Sequence, residues 1–220
     1  MTFQRQQFDA SLQELRKALI AMGEKVEQAI TDSVAALKNN DQELAEQVIA
    51  SDNELNAMEE NIVELGTNLI VLQQPVAKDL RRILVAYKMA ADLERMGDLS
   101  VDIAKVVRRL NGEMLIKPLV DIPRMAEIVL IMMNDSLRAY VEENVDLAYK
   151  MSVMDDEVDH LHSQVLRELF GYMVENPRNV SQAIYLSFVS RFLERMADYT
   201  TNIAENVVYL VMGKRPDLNQ

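Results

Sequence analysis

The chain has 220 residues, 49% of them hydrophobic and only 5% aromatic, with six Gly, five Pro and 14 Met; ample core material and few turn-formers favour long helices over sheets. The 35 acidic side chains outnumber 23 basic ones for a formal charge of −12, which argues against nucleic acid or an anionic membrane as partner and suits cations or a basic protein patch. With no cysteine, disulfides and thiolate metal sites are excluded.

The N-terminal "MTFQRQQFDASLQELRK" has neither an apolar segment nor a cleavage-type signal. A first helix runs through "MGEKVEQAITDSVAALKNND" (22–41) and breaks at "NND". A second carries "LAEQVIASDNELNAME" (44–59), with Leu55, Met58, Ile62, Leu65 and Leu69 as its apolar stripe, and ends at "QQP" (73–75). Pro75 suits a helix start, where its missing N–H is not needed, and Asp79 follows in the favourable N-terminal field. The third helix carries "DLERMGDLSVDIAKVV" (92–107), where Leu93, Met96, Ser100, Ile103, Ala104 and Val107 form one helical stripe.

Between residues 111 and 124, "NGEMLIKPLVDIPR" holds Gly112, Pro118 and Pro123 and is the one stretch that reads as a domain boundary. Beyond it the same parts return in the same order. "MAEIVLIMMNDSLRAYVEEN" (125–144) matches the first helix at an offset of 103, and its "IVLIMM" is far too short to span a bilayer. "LAYKMSVMDDEVDHLH" (147–162) matches the second at the same offset, and "FLERMADYTTNIAENV" (192–207), after a break at "NPRN" (176–179), matches the third at 100. Eight of the 16 positions in that last pair are identical, where about one is expected by chance.

Three blocks in one order mean a tandem duplication. The expected fold is all-α: six long helices as two similar antiparallel three-helix bundles, residues 1–112 and 120–213, with a linker at 113–119 and a fraying tail at 214–220. Without a leader or a spanning segment, the reading is a soluble cytoplasmic protein.

With Leu93 at zero on a helical wheel of about 100° per residue, the apolar stripe falls within about 80° of it, whereas Glu94, Asp98 and Asp102 lie near 100°, 140° and 180°. These acids flank the core. Glu194, Asp198 and Asn202 repeat them. On the second helix Asp52, Asn56 and Glu59 stand at i, i+4 and i+7, and Asp155, Asp159 and His162 stand likewise in the second half. Like charges at i, i+4 cost a few tenths of a kcal/mol per pair, so four such stripes on neighbouring helices suggest a compensating cation. A solvated face, neutralised locally by Arg95 or Lys105, would account for any one pair alone. Oxygen ligands with one imidazole suit iron, manganese, magnesium or zinc.

Glu157-x-x-His160 has the spacing of di-iron bundles, but those need the motif twice, and the first half has Glu54 and Ala57 there. The methionines read as core filler. With two His and no phosphate-cradling Gly-rich loop, no catalytic constellation is present.

The duplicated L-E-R-M-x-D segment with its following I-A step, the D-x-E element of the preceding helix and "QPVAKDLRRI" (74–83) together resemble the PhoU family over essentially the whole chain. The resemblance implies a two-bundle regulator, not an enzyme, that restrains phosphate uptake and phosphate-starvation signalling. Its expected partners are the ATPase subunit of the phosphate ABC transporter and a phosphate-sensing histidine kinase, with a homodimer as its assembly. It also implies multinuclear iron or zinc clusters. By matching position, Asp52, Glu59, Glu94 and Asp98 would form the first, and Asp155, Asp159, Glu194 and Asp198 the second. Asn56 stands where an acid would complete the first set, and His162 replaces Glu59 in the second. A ferritin-like di-iron oxidase or metal store is the rival, and it would need a buried, duplicated Glu-x-x-His.

Overall fold

The structure is a computed structural model that describes residues 3–218, with side chains from residue 5 onward. In chain order it comprises α1 (Phe3–Asn39), α2 (Gln42–Ala50), α3 (Asp52–Gln73), α4 (Ala77–Leu110), α5 (Asp121–Glu142), α6 (Val145–Glu175), a short 3-10 turn (Pro177–Asn179) and α7 (Val180–Met212). The six expected helices are present, with the second interrupted at Ser51 to give α2 and α3. There the Ser51 N–H is shared between the Gln47 and Val48 carbonyls at 3.2 Å each, and its hydroxyl donates to the Val48 carbonyl at 2.9 Å. Met154 occupies the equivalent place in the second half, and α6 runs through it unbroken.

Local chemistry repeats along with the helices. Asp41 and Asn144, at the offset of 103, each cap the next helix by accepting a backbone N–H, from Leu44 and Leu147, at 3.0 Å. The residue before each cap, Asn40 and Glu143, takes the left-handed conformation that ends the previous helix, with φ of 54° and 52°. The start of α4 is displaced two residues beyond Pro75, with Ala77 held at φ 51°.

The charges of "QPVAKDLRRI" lash that start to the neighbouring helices. Glu143 accepts from Arg82 Nε at 2.8 Å and Nη2 at 2.6 Å, and pairs with Lys78 at 2.5 Å and Arg16 at 3.5 Å. Asp79 joins Arg82 at 2.7 Å to Arg5 at 2.6 Å. Burial disfavours the Glu143 carboxylate, but its bonds from Lys78 and Arg82 outweigh this and hold it below the ordinary carboxylate range. One acid thus ties α5 to α1 and α4.

In each half the helices pack as three: α1 and α4 with the broken α2–α3, and α5, α6 and α7 together. The halves meet through α1 against α5 and α4 against α7, while α2, α3 and α6 touch no helix of the other half. The predicted stripe of α4 is buried throughout, as is Leu193 at the repeat-equivalent place. A second buried row on α4, Val85, Asp92, Leu99 and Val106, lies at seven-residue spacing, about 220–280° from Leu93. Because α4 is covered on two sides, the apolar side chains of both halves join in one continuous cluster. The acids of α4 occupy the sector left over, beside α3.

The described part of the tail, residues 214–218, does not stand free as expected. Leu218 N–H donates to Glu205 at 2.9 Å, the Arg215 guanidinium lies 5.4 Å from the Tyr209 ring centre, and Leu218 is partly buried against the core.

Gly66 lies at a close approach of α3 to α4. A Cβ there would lie 2.4 Å from Tyr87 Cε1 and 2.8 Å from Ile83 Cγ2, while Tyr87 is held by its bond to the Val63 carbonyl at 3.2 Å. Overpacking of about 1–3 kcal/mol then exceeds the helix-propensity gain of at most about 1 kcal/mol. Gly66→Ala should therefore lower the denaturation midpoint in urea, and a raised midpoint would refute that packing.

Candidate functional site

Each half presents its acids on the groove between its second and third helices. In the first half Asp52 and Glu59 rise from α3, and Glu94 and Asp98 from α4. Glu94 is pushed above the ordinary carboxylate range by burial and by the charges of Asp98, Glu59 and Asp52, against Arg95. Asp98 is raised by burial, Asp52 and Asp102, with Lys105 and a hydrogen bond from Glu94 opposing. The four predicted acids therefore sense one another across the two helices. Asn56 stands among them without a charge. Asp102 is drawn off to Lys105 at 2.8 Å, so it lies at the margin of the set.

The second half is more deeply built. Asp155 on α6 is only 8% exposed, and burial, followed by the charges of Asp198, Asp159, Asp156 and Glu194, raises it to about 7. Glu194 and Asp198 on α7 are likewise raised, each first by burial and then by its acidic neighbours. Asp155 Oδ1 and Glu194 Oε2 are buried with no hydrogen-bond partner. A buried carboxylate oxygen without a donor is costly, and these two stand beside further acids.

His162 belongs to this group. Its Nδ1 lies 2.7 Å from Ser190 Oγ, and that hydroxyl donates on to Met125 Sδ at 3.6 Å. Ser190 thus occupies Nδ1, and Nε2 is the ring nitrogen left open. Burial and Arg191 lower the His162 pKa while Asp159 opposes, which keeps the imidazole neutral, as a ligand must be.

All nine predicted residues fall into these two groups, five in the second and four in the first. Within each the carboxylates stay apart: among the described residues no three His, Asp or Glu side chains stand in an arrangement that would hold an ion. Two participants were missed from sequence. Asp156 adds to the field on Asp155, and Arg191, one turn before Glu194, binds its Oε1. Ala91 stands at the equivalent place in the first half, so comparing the repeats at i−3 of each Glu was the available signal.

Glu157 is paired with Arg124 at 2.6 Å on the surface, and His160 is exposed, so the Glu-x-x-His spacing forms no ligand pair. No helix of the described residues is long and apolar enough to cross a membrane.

Known proteins match this arrangement over nearly its whole length. A relative in Clostridium acetobutylicum, a phosphate-specific transport system accessory protein PhoU homolog, is 42% identical over 213 residues, covering 96% of this chain and 97% of its own. The Escherichia coli K12 phosphate-specific transport system accessory protein PhoU is 33% identical over 208 residues, covering 94% and 86%. The crystal structure of PhoU from Pseudomonas aeruginosa superposes with a TM-score of 0.89 at 37% identity, covering 94% of this chain and 100% of that one. The phosphate transport system regulatory protein PhoU from Streptococcus pneumoniae gives 0.88 at 30% identity, covering 96% and 99%. The PhoU domain itself matches twice, at residues 19–107 and 122–207, once on each set of three helices, and the chain belongs to the PhoU domain family.

Proposed function

We propose that the chain is an accessory regulator of phosphate-specific transport, not an enzyme. It restrains phosphate uptake and starvation signalling by contact with the transporter's ATPase subunit and with a phosphate-sensing histidine kinase. The names of its relatives support the first step, and the duplicated helical scaffold without a catalytic constellation supports contact as its means of action. Action in the cytoplasm as a homodimer, and a division into repeats at 1–112 and 120–213 around a linker at 113–119, belong to the same reading. The paired family matches support the division.

The observation that carries the metal part is the pair of buried, unpartnered oxygens on Asp155 and Glu194. Asp155, Asp159, Glu194 and Asp198, with His162 through Nε2, would hold one multinuclear cluster, and Asp52, Glu59, Glu94 and Asp98 a weaker second. Oxygen donors with one imidazole suit iron or zinc there, and the bound ions would supply positive charge that locks neighbouring helices together. Buried Asp155 on α6, opposed by half-buried Glu194 and Asp198 on α7, makes that lock a means of setting the groove's shape.

The test is genetic. A strain deleted for the chain should import more phosphate and express starvation genes in phosphate-rich medium; unchanged expression would defeat the regulatory reading. Elemental analysis of tag-free protein tests the clusters separately.

A further inference from the structure

On the side of α4 away from its acids, an open groove of about 280 Å³ runs between α4 and α7 under the C-terminal tail. Lys88 and Arg95 of α4, Asn202 and Asn206 of α7 and Arg215 of the tail line it, with Asp92 in its wall. The sign of this place runs against the molecule's −12. None of its three cations makes an ion pair among the described residues, although the rest of the surface is rich in acids. Arg95 lies 5.9 Å from the Tyr199 ring centre and Arg215 5.4 Å from that of Tyr209, which holds both guanidinium planes in place. Arg195, the repeat-equivalent of Arg95, lies 6.0 Å from the same Tyr199 ring and adds a further charge nearby.

The groove also offers an acceptor. Asp92 is only 8% exposed, yet its carboxylate has no hydrogen-bond partner and opens into the groove; burial raises it to about 7 against the pull of Arg95, so above that pH it stands as an ionised acceptor. Asn206, 7% exposed, accepts on Oδ1 from the Arg215 guanidinium at 3.4 Å, so its amide hydrogens remain for a ligand. The other acid of the wall, Glu205, is engaged by the Leu218 amide at 2.9 Å. Three cations and amide donors around one buried acceptor fit an oxyanion that carries a hydrogen of its own. The volume exceeds the roughly 30 Å³ share of a single water many times over, enough for a tetrahedral ion with part of its hydration shell.

We propose that the α4–α7 groove binds free inorganic hydrogen phosphate, with Lys88, Arg95, Arg215 and the Asn amides donating to its bare oxygens and Asp92 accepting its P–OH. Sulfate, of the same shape, has no hydrogen to give at neutral pH. A phosphorylated side chain, with its second pKa near 6, is mostly without one. A site built around a polar partner rejects an analogue that lacks it far more strongly than it distinguishes size.

Calorimetric titration of the full chain with inorganic phosphate, sulfate and O-phosphoserine tests this, on protein freed of metal by chelation so that heat cannot come from a cluster. Phosphate should bind at least about tenfold more tightly than the other two. Asp92→Asn, nearly isosteric, should erase the preference, and Lys88→Gln, on the exposed rim, should weaken phosphate without altering the helical circular dichroism. No binding of any of the three ions overturns the site. Equal binding of phosphate and sulfate, or stronger binding of phosphoserine, overturns its assignment to free hydrogen phosphate. The regulatory reading is tested in the deletion strain and does not fall with either result.

Discussion

Leu93→Ala should lower the unfolding free energy by about 2–5 kcal/mol, the largest loss expected from a single truncation here. Leu93 is completely buried, as are Met96 and Ile103 on the same stripe. The removed atoms leave a hole in the packed interior, and the helices packed on α4 have little freedom to close it. Glu94→Gln, one residue along, should move stability far less, because Glu94 lies on the rim. The loss should shift the whole transition, because the core passes from one half to the other through α1–α5 and α4–α7. Urea denaturation followed by circular dichroism measures both effects. A loss below about 1 kcal/mol would place Leu93 outside the core it is assigned to.

The features that repeat locally were legible. Helical period and the duplicated acids follow from spacing within one helix, which a sequence displays directly. Contacts between elements distant in sequence were not. Val85, Asp92, Leu99 and Val106 lie off the stripe that identifies the core face of α4, and packing between elements makes them interior. A period reports that a face is apolar and does not name its neighbour.

The break at Ser51 was hidden for a different reason. The apolar stripe of the segment continues straight past it, and the hydroxyl-to-carbonyl bond of Ser51 is one that Ser100 and Ser152 also make inside unbroken helices. The "QPVAKDLRRI" stretch was recognisable as a pattern, but its work became visible only when Glu143 was found at its centre, 61 residues from Arg82. The tail read as frayed because its composition is polar, and its partners Glu205 and Asn206 lie on a helix already assigned to the core.

Double replacement of Glu194 by Gln and Asp198 by Asn should release metal from the second site while leaving the fold intact. Neither side chain lies on the buried stripe of α7, whose members are Leu193, Met196, Ala197 and Ile203. This site should also be the tighter of the two, with four acids and His162 where the first has four acids and the neutral Asn56 beside them; ligand charge tunes affinity in oxygen-rich sites.

The metal-free protein reports on the same charges through pH. Asp155 has its folded pKa raised from 3.8 to about 7, so ionising it costs more in the folded chain than in the unfolded one. Stability free of that cost is present below the ordinary carboxylate pKa and is lost as pH rises through about 7. Removing the charges of Glu194 and Asp198 relieves part of the strain, so the double variant without metal should melt higher than the metal-free parent at pH 8 and differ little from it at pH 5. Elemental analysis, circular dichroism and melting curves at both pH values decide the matter. Full metal retention would refute the site, and loss of the helical signal would mean that these acids hold the helices together themselves.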